Sequence, residues 1–207
     1  MPKSVWARLD RLMRKLHLWT GLFLVPWMLV YATSAFLLNH PGLAGLFGNK
    51  PPTWEQVNSF DFVPDDSFPA EPKEQARVLL AKADLEGAHR VQGKPNPNQM
   101  IIFRIRASGH YRVTWRKKQN RVLVERQTPF SMIRLVHFLH FRSGYRQPVN
   151  TYIAWAVIVD FVALSLLLWV VSGIYLWARM RRDRLSGGAC FAMGCGLFAV
   201  LVVCLCL

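Results

Sequence analysis

The sequence predicts an α+β membrane protein, with about three transmembrane helices and a small extracytoplasmic domain, one helix plus an antiparallel meander, inserted between the first and second. Three observations lead there. Uncharged or nearly uncharged apolar runs occupy 18–38, 151–178 and 189–207, basic residues crowd the short stretches 1–17 and 179–188, and a long polar region fills 39–150. With 52% hydrophobic residues in 207, the composition suits a chain that is partly in lipid.

Lys3, Arg8, Arg11, Arg14 and Lys15 make 1–17 a basic amphipathic segment ahead of the first span. About 20 apolar residues cross a hydrocarbon core, so Leu18 to Leu38 suffices. No small-x-small site ends the run, which therefore reads as retained rather than as a cleaved signal. The second span is interrupted only by Asp160. Arg179, Arg181, Arg182 and Arg184 follow it, and the third span then reaches Leu207 without a charge. Short basic loops stay in the cytoplasm, whereas long loops translocate largely regardless of their charge. The N-terminus and 179–188 are thus expected inside, and 39–150 outside. Cys190, Cys195, Cys204 and Cys206 all lie in the last run, where they read as small packing residues. The external region has no thiol and hence no disulfide framework.

Within that region, 39–66 is rich in Gly, Pro and Asn and reads as an irregular connection. A helix is expected over 72–86, with Pro72 in its first turn and Gly87 as the stop. Strands follow at 100–106 and 111–116 and from residue 121. Neighbouring strands must turn their apolar residues to one face, which pairs Ile105 with Val113, Phe103 with Trp115, Trp115 with Val122 and Val113 with Val124. A short strand around 88–92 can extend the meander. The other face then collects Arg104, Arg106, Arg112 and Arg116, with Glu125 opposite Arg112. From 100 to 149 eleven Lys or Arg stand against one acidic residue, so this face is expected to be solvated or to meet lipid phosphate or an anionic ligand. Nucleic acid is excluded, because the domain is external and carries no recognition motif. A juxtamembrane helix over 129–141 leads to the second span, started by Thr128 and Pro129.

No Gly-rich phosphate loop, H-E-x-x-H, nucleophile elbow or C-x-x-C is present, so hydrolase or kinase chemistry has no support. Asp160 is the one acidic residue inside a span, and a buried carboxylate must be paired, protonated or wet. Counted inward from the external ends it lies near the level of Tyr31, whose phenol can donate to it; a proton relay is the alternative.

Three stretches resemble the PepSY-associated transmembrane family: Arg14-Lys15-Leu16-His17-Leu18-Trp19-Thr20-Gly21, Leu139-His140, and Ser172-Gly173-Ile174-Tyr175-Leu176-Trp177 with the arginines after it. The helix and meander between them are similar to a PepSY domain, and the resemblance spans about 10–184. It implies a bacterial inner-membrane protein. In larger members it also implies haem b and electron transfer in iron or siderophore uptake. His17 and His40 are separated by about 35 Å of helix and cannot share an iron. The resemblance therefore directs an external haem to His40 and His140, with His137 beside them. His17 is left for a haem propionate, a quinone, lipid phosphate or simple interfacial anchoring. The implied functions are a haem-dependent reductase subunit, a cofactor-free protein that binds a partner or regulates a peptidase, or a structural subunit of a transporter. Membrane lipid, a membrane or periplasmic protein, and a second copy of the chain are the expected partners.

Overall fold

The computed structural model describes residues 3–46, 50–93, 96–147, 149–179 and 184–207. Three helices are long and apolar enough to cross a membrane, Val5–Asn39, Asn150–Arg179 and Arg184–Cys206, and they mark the chain as a membrane protein. The chain divides into two compact units, Met1–Pro26 with Asp160–Leu207, and Trp27–Val159.

In the first unit the N-terminal half of α1 (Lys3–Asn39) runs antiparallel to the C-terminal half of α5 (Asn150–Arg179). The basic lead expected as a separate segment is continuous with the span. Its Leu, Met, Lys and Arg are strong helix formers, and nothing between Lys3 and Leu18 breaks the ladder. Asp10 ties the pair together: it accepts from the Tyr175 hydroxyl at 2.6 Å and from Nε and a terminal nitrogen of Arg179 at 3.0 Å each. α6 (Arg184–Cys206) begins five residues before the expected span, and the indole of Trp177 lies against Gly187. Arg181 and Arg182 of the basic loop lie outside the described residues. The four cysteines are free and exposed along α6.

The second unit holds a five-stranded antiparallel sheet in the order β1-β5-β4-β3-β2: β1 (Thr53–Asp61), β2 (His89–Val91), β3 (Gln99–Arg104), β4 (Tyr111–Arg116) and β5 (Arg121–Thr128). A short helix, α2 (Pro41–Leu46), precedes it, and α3 (Pro72–Lys82) covers one face. Ala76, Leu79 and Leu80 of α3 pack on Met100, Ile102, Val113, Trp115, Val122 and Val124, all buried. Truncating a fully buried leucine such as Leu79 to alanine costs about 2–5 kcal/mol.

The β4–β5 register is the expected one, with Trp115 opposite Val122 and Val113 opposite Val124. The β3–β4 register is not. Ile102 faces Val113 and Met100 faces Trp115, so Ile101 and Phe103 turn to the second face. Three consecutive apolar residues, Ile101, Ile102 and Phe103, satisfy either phase of a period-two pattern, and the second face takes Phe103 because Trp54 awaits it there at 6.0 Å. The segment read as an irregular connection contains β1. A bulge between Gln56 and Asn58 reverses its phase: Phe60 lies beside Val122 on the core face, whereas Trp54 lies beside Gln127 on the other.

α3 stops earlier than Gly87. Asp84 takes the left-handed conformation (φ 56), with the Leu85 amide donating to the Leu80 carbonyl at 2.8 Å and the Asp84 amide to Ala81 at 3.1 Å, a Schellman cap. The juxtamembrane helix α4 (Met132–Phe141) starts three residues later than expected. Ser131 rather than Thr128 caps it, its hydroxyl accepting from the Arg134 amide at 3.3 Å.

Candidate functional site

The histidines singled out in the sequence fall in two places. In the second unit α4 lies antiparallel on the C-terminal half of α1. Ile133 meets Leu37, His137 Nδ1 meets the buried Ser34 hydroxyl at 2.7 Å, and the His140 ring lies 4.9 Å from that of Tyr31. His137 and His140 share one face of α4, as a spacing of three requires. Burial, and then the neighbouring His140, hold the His137 imidazole below its ordinary range. His140 also stacks on Phe141 at 4.7 Å, and its buried Nδ1 has no hydrogen-bond partner among the described residues.

His40 is not brought to His140. It is exposed and packs on Phe36 of its own turn at 4.6 Å. Tyr31, the partner of His140, stands about 13 Å before it along α1 by helical rise. His140 faces Tyr31 and His40 faces Phe36, so no contact between the two imidazoles is found among the described residues. Tyr31 faces His140, and Asp160 lies on the exposed surface of α5.

In the first unit His17 stacks on Trp169, ring centroids 5.3 Å apart and 6° from parallel. Its Nδ1 lies 3.1 Å from the Trp169 carbonyl and 3.1 Å from the Ser172 hydroxyl. A Cβ on Gly173 would stand 3.2 Å from the ring, so the glycine makes the approach possible. Two of the three motif stretches, around His17 and around Ser172-Gly173, thus meet, and His17 serves as an interhelical hydrogen-bonding group.

The expected cationic face comes apart. Arg112 makes a bidentate pair with Glu125, and its guanidinium lies 4.7 Å from the centre of the Trp54 ring. Arg104 belongs to the core side of β3, opposite Tyr111. Its guanidinium donates to the carbonyls of Leu85 and Glu86 at 2.9 Å, and also to those of Ala88 and Ile105. Gly87 (φ 127) lets it lie there, since a Cβ would stand 2.5 Å from that guanidinium. Arg106 and Arg116 remain exposed, Arg116 donating to Gln119 at 3.4 Å.

One concavity is not announced by the sequence. It is a half-open groove of about 780 Å³ running between α3 and β2, with Leu80, Val91 and Met100 among its lining. Five lysine or arginine side chains line it, Lys73, Arg77 and Arg146 among them, against two acids, Glu71 and Glu86. The carboxamide of Gln147 reaches the outer edge of β2, accepting from the His89 amide at 3.1 Å and donating to the His89 carbonyl at 3.0 Å. Nothing in the sequence around Gln147 signals that contact, because its partner lies 58 residues away.

No family model, curated protein or solved structure matches the chain. Fold and helices together define a membrane protein with an α+β domain.

Proposed function

We propose that this is a multi-pass inner-membrane protein of the PepSY-associated type, N-terminus in the cytoplasm, which holds its sheet domain outside to bind a protein partner. The observation that carries this reading is the cationic groove beside α3, of a size that suits specific recognition. The basic ends of α1 and α5 come together through Asp10 and Arg179, which supports both lying on one side of the membrane. A photo-crosslinking side chain at Lys73 or Gln92, in the groove, should give a discrete adduct in whole cells. The same group at Arg121, in the strand-order neighbour of the opposite edge, should give none. Equal labelling from all three positions, or from none, ends the binding reading.

A haem-linked electron-transfer role in iron uptake is the second reading, favoured by the buried, unpartnered Nδ1 of His140. Its test is the absorption spectrum of protein purified from haem-supplemented cells, oxidised and then dithionite-reduced. A Soret band lost in His140→Ala supports it, and a protein without a band ends it.

A further inference from the structure

We propose that the outer edge of β2 accepts an extended acidic segment of the partner as a sixth strand, and that the Gln147 side chain keeps a place for it. The inference rests on the groove's being the partner site and specifies what enters.

The hydrogen-bond phase of β2 is determined on both sides. The Ile105 amide donates to the Ala88 carbonyl and the Gln92 amide to the Ile101 carbonyl, each at 2.8 Å. In an antiparallel ladder these bonds alternate, so Ala88, Arg90 and Gln92 direct their backbone groups to β3, and His89 and Val91 direct theirs outward. An unpaired edge of this kind is a template for another strand. At His89 both outward groups are already held by one primary amide, which presents the same donor and acceptor as a peptide unit. At Val91 no partner is found among the described residues, and Val91 also lines the groove.

The chemistry of the occupant follows from the walls. A strand laid along β2 turns alternate side chains to the face covered by α3, since cross-strand neighbours share a face and Val91 pairs with Ile102 of the core. Those side chains enter between Leu80 and Met100, which are apolar, and the exposed cations Lys73 and Arg77, the latter held by Glu74 of its own helix at 2.8 Å in an exposed pair that an incoming carboxylate can share. Arg90, on the opposite face of β2, meets the other set. Carboxylates at alternate positions complement this arrangement, and lysines there are repelled. No side chain of β2 obstructs the approach, because the edge is met through the backbone.

The test uses full-length protein in uncharged phosphatidylcholine nanodiscs and a short fluorescent peptide of alternating glutamate and threonine. It should bind at least about tenfold more tightly than the lysine–threonine peptide or its own backbone N-methylated form. Val91→Pro removes one outward amide and leaves the β2–β3 ladder intact, as proline is tolerated on edge strands, and should weaken binding about tenfold. Gln147→Ala frees the His89 backbone and should tighten it. The pair Lys73→Glu and Arg77→Gln, both exposed on α3, should abolish it, with no more loss of melting temperature than the exposed Arg77–Glu74 pair accounts for. Binding that ignores N-methylation and Val91→Pro overturns strand addition and leaves a groove that reads charge. Absence of peptide binding with groove crosslinks still present also overturns strand addition; absence of both overturns the binding reading as well.

Discussion

Arg112 and Glu125 are directly opposite on neighbouring strands, joined by two hydrogen bonds of 2.7 Å, with their side chains only 31% and 21% exposed. An exposed pair contributes about 0–1 kcal/mol. This one is bidentate and roofed by the Trp54 ring, and a charge-assisted pair of that kind is expected to contribute about 1–2 kcal/mol. A double-mutant cycle with Arg112→Met and Glu125→Gln should return a coupling energy in that range. Its hydrogen bonds to Arg112 hold the Glu125 carboxyl below the usual carboxylate range. A depressed carboxylate gives its stability fully above the unfolded value and loses it as pH falls through the folded one. The wild type should therefore lose more of its melting temperature than Glu125→Gln when the pH drops below the usual carboxylate range.

His137 supplies a second pH response. Its imidazole is held low by burial and by His140, so the folded state favours the neutral ring. Stability linked to it is complete above the ordinary imidazole range and falls as acid protonates the ring. Melting of the protein in nanodiscs, followed by tryptophan emission between about pH 5 and 7.5, should show this loss. His137→Gln should flatten it, and Ser34→Ala should cost about 1 kcal/mol at neutral pH by removing the partner of the part-buried ring nitrogen.

Interhelical hydrogen bonds in membranes contribute about 0.6 kcal/mol on average, with a maximum near 1.7. His17→Phe keeps an aromatic ring for Trp169 and removes the Nδ1 bonds, so its cost should lie in that interval. Gly173→Val, which drives a branched side chain into the imidazole, should cost more. Unfolding in mixed micelles separates the two.

A cysteine at Ser108, on the exposed β3–β4 loop, in a chain whose four native cysteines are serine, should react with an impermeant maleimide on intact cells. Reaction only after the cytoplasmic side is opened reverses the proposed orientation.

The three apolar helices were legible because lipid imposes a length and a composition that a sequence displays directly. The β4–β5 register was legible for a similar reason: Val113, Trp115, Val122 and Val124 alternate cleanly with polar residues, leaving one phase open. β1 was hidden because the bulge near Val57 sends Trp54 and Phe60 to opposite faces, which cancels the alternation that identifies a strand. β3 was misphased because its apolar run is continuous. The site was harder still. His17 and His140 stood out by type, yet what they touch is decided by residues far along the chain, and the groove depends on a carboxamide whose role is set by position alone.

His17 and the Trp169 carbonyl are 152 residues apart. A ribosome adding about 5–20 residues per second needs roughly 8–30 s to cover that distance. Throughout that interval the first helix carries a histidine, and in its basic lead an aspartate, Asp10, whose partners have not yet been made. Biogenesis of the protein thus contains a waiting period, and the hydrogen bonds of His17 and Asp10 that settle the first helix form only when α5 arrives.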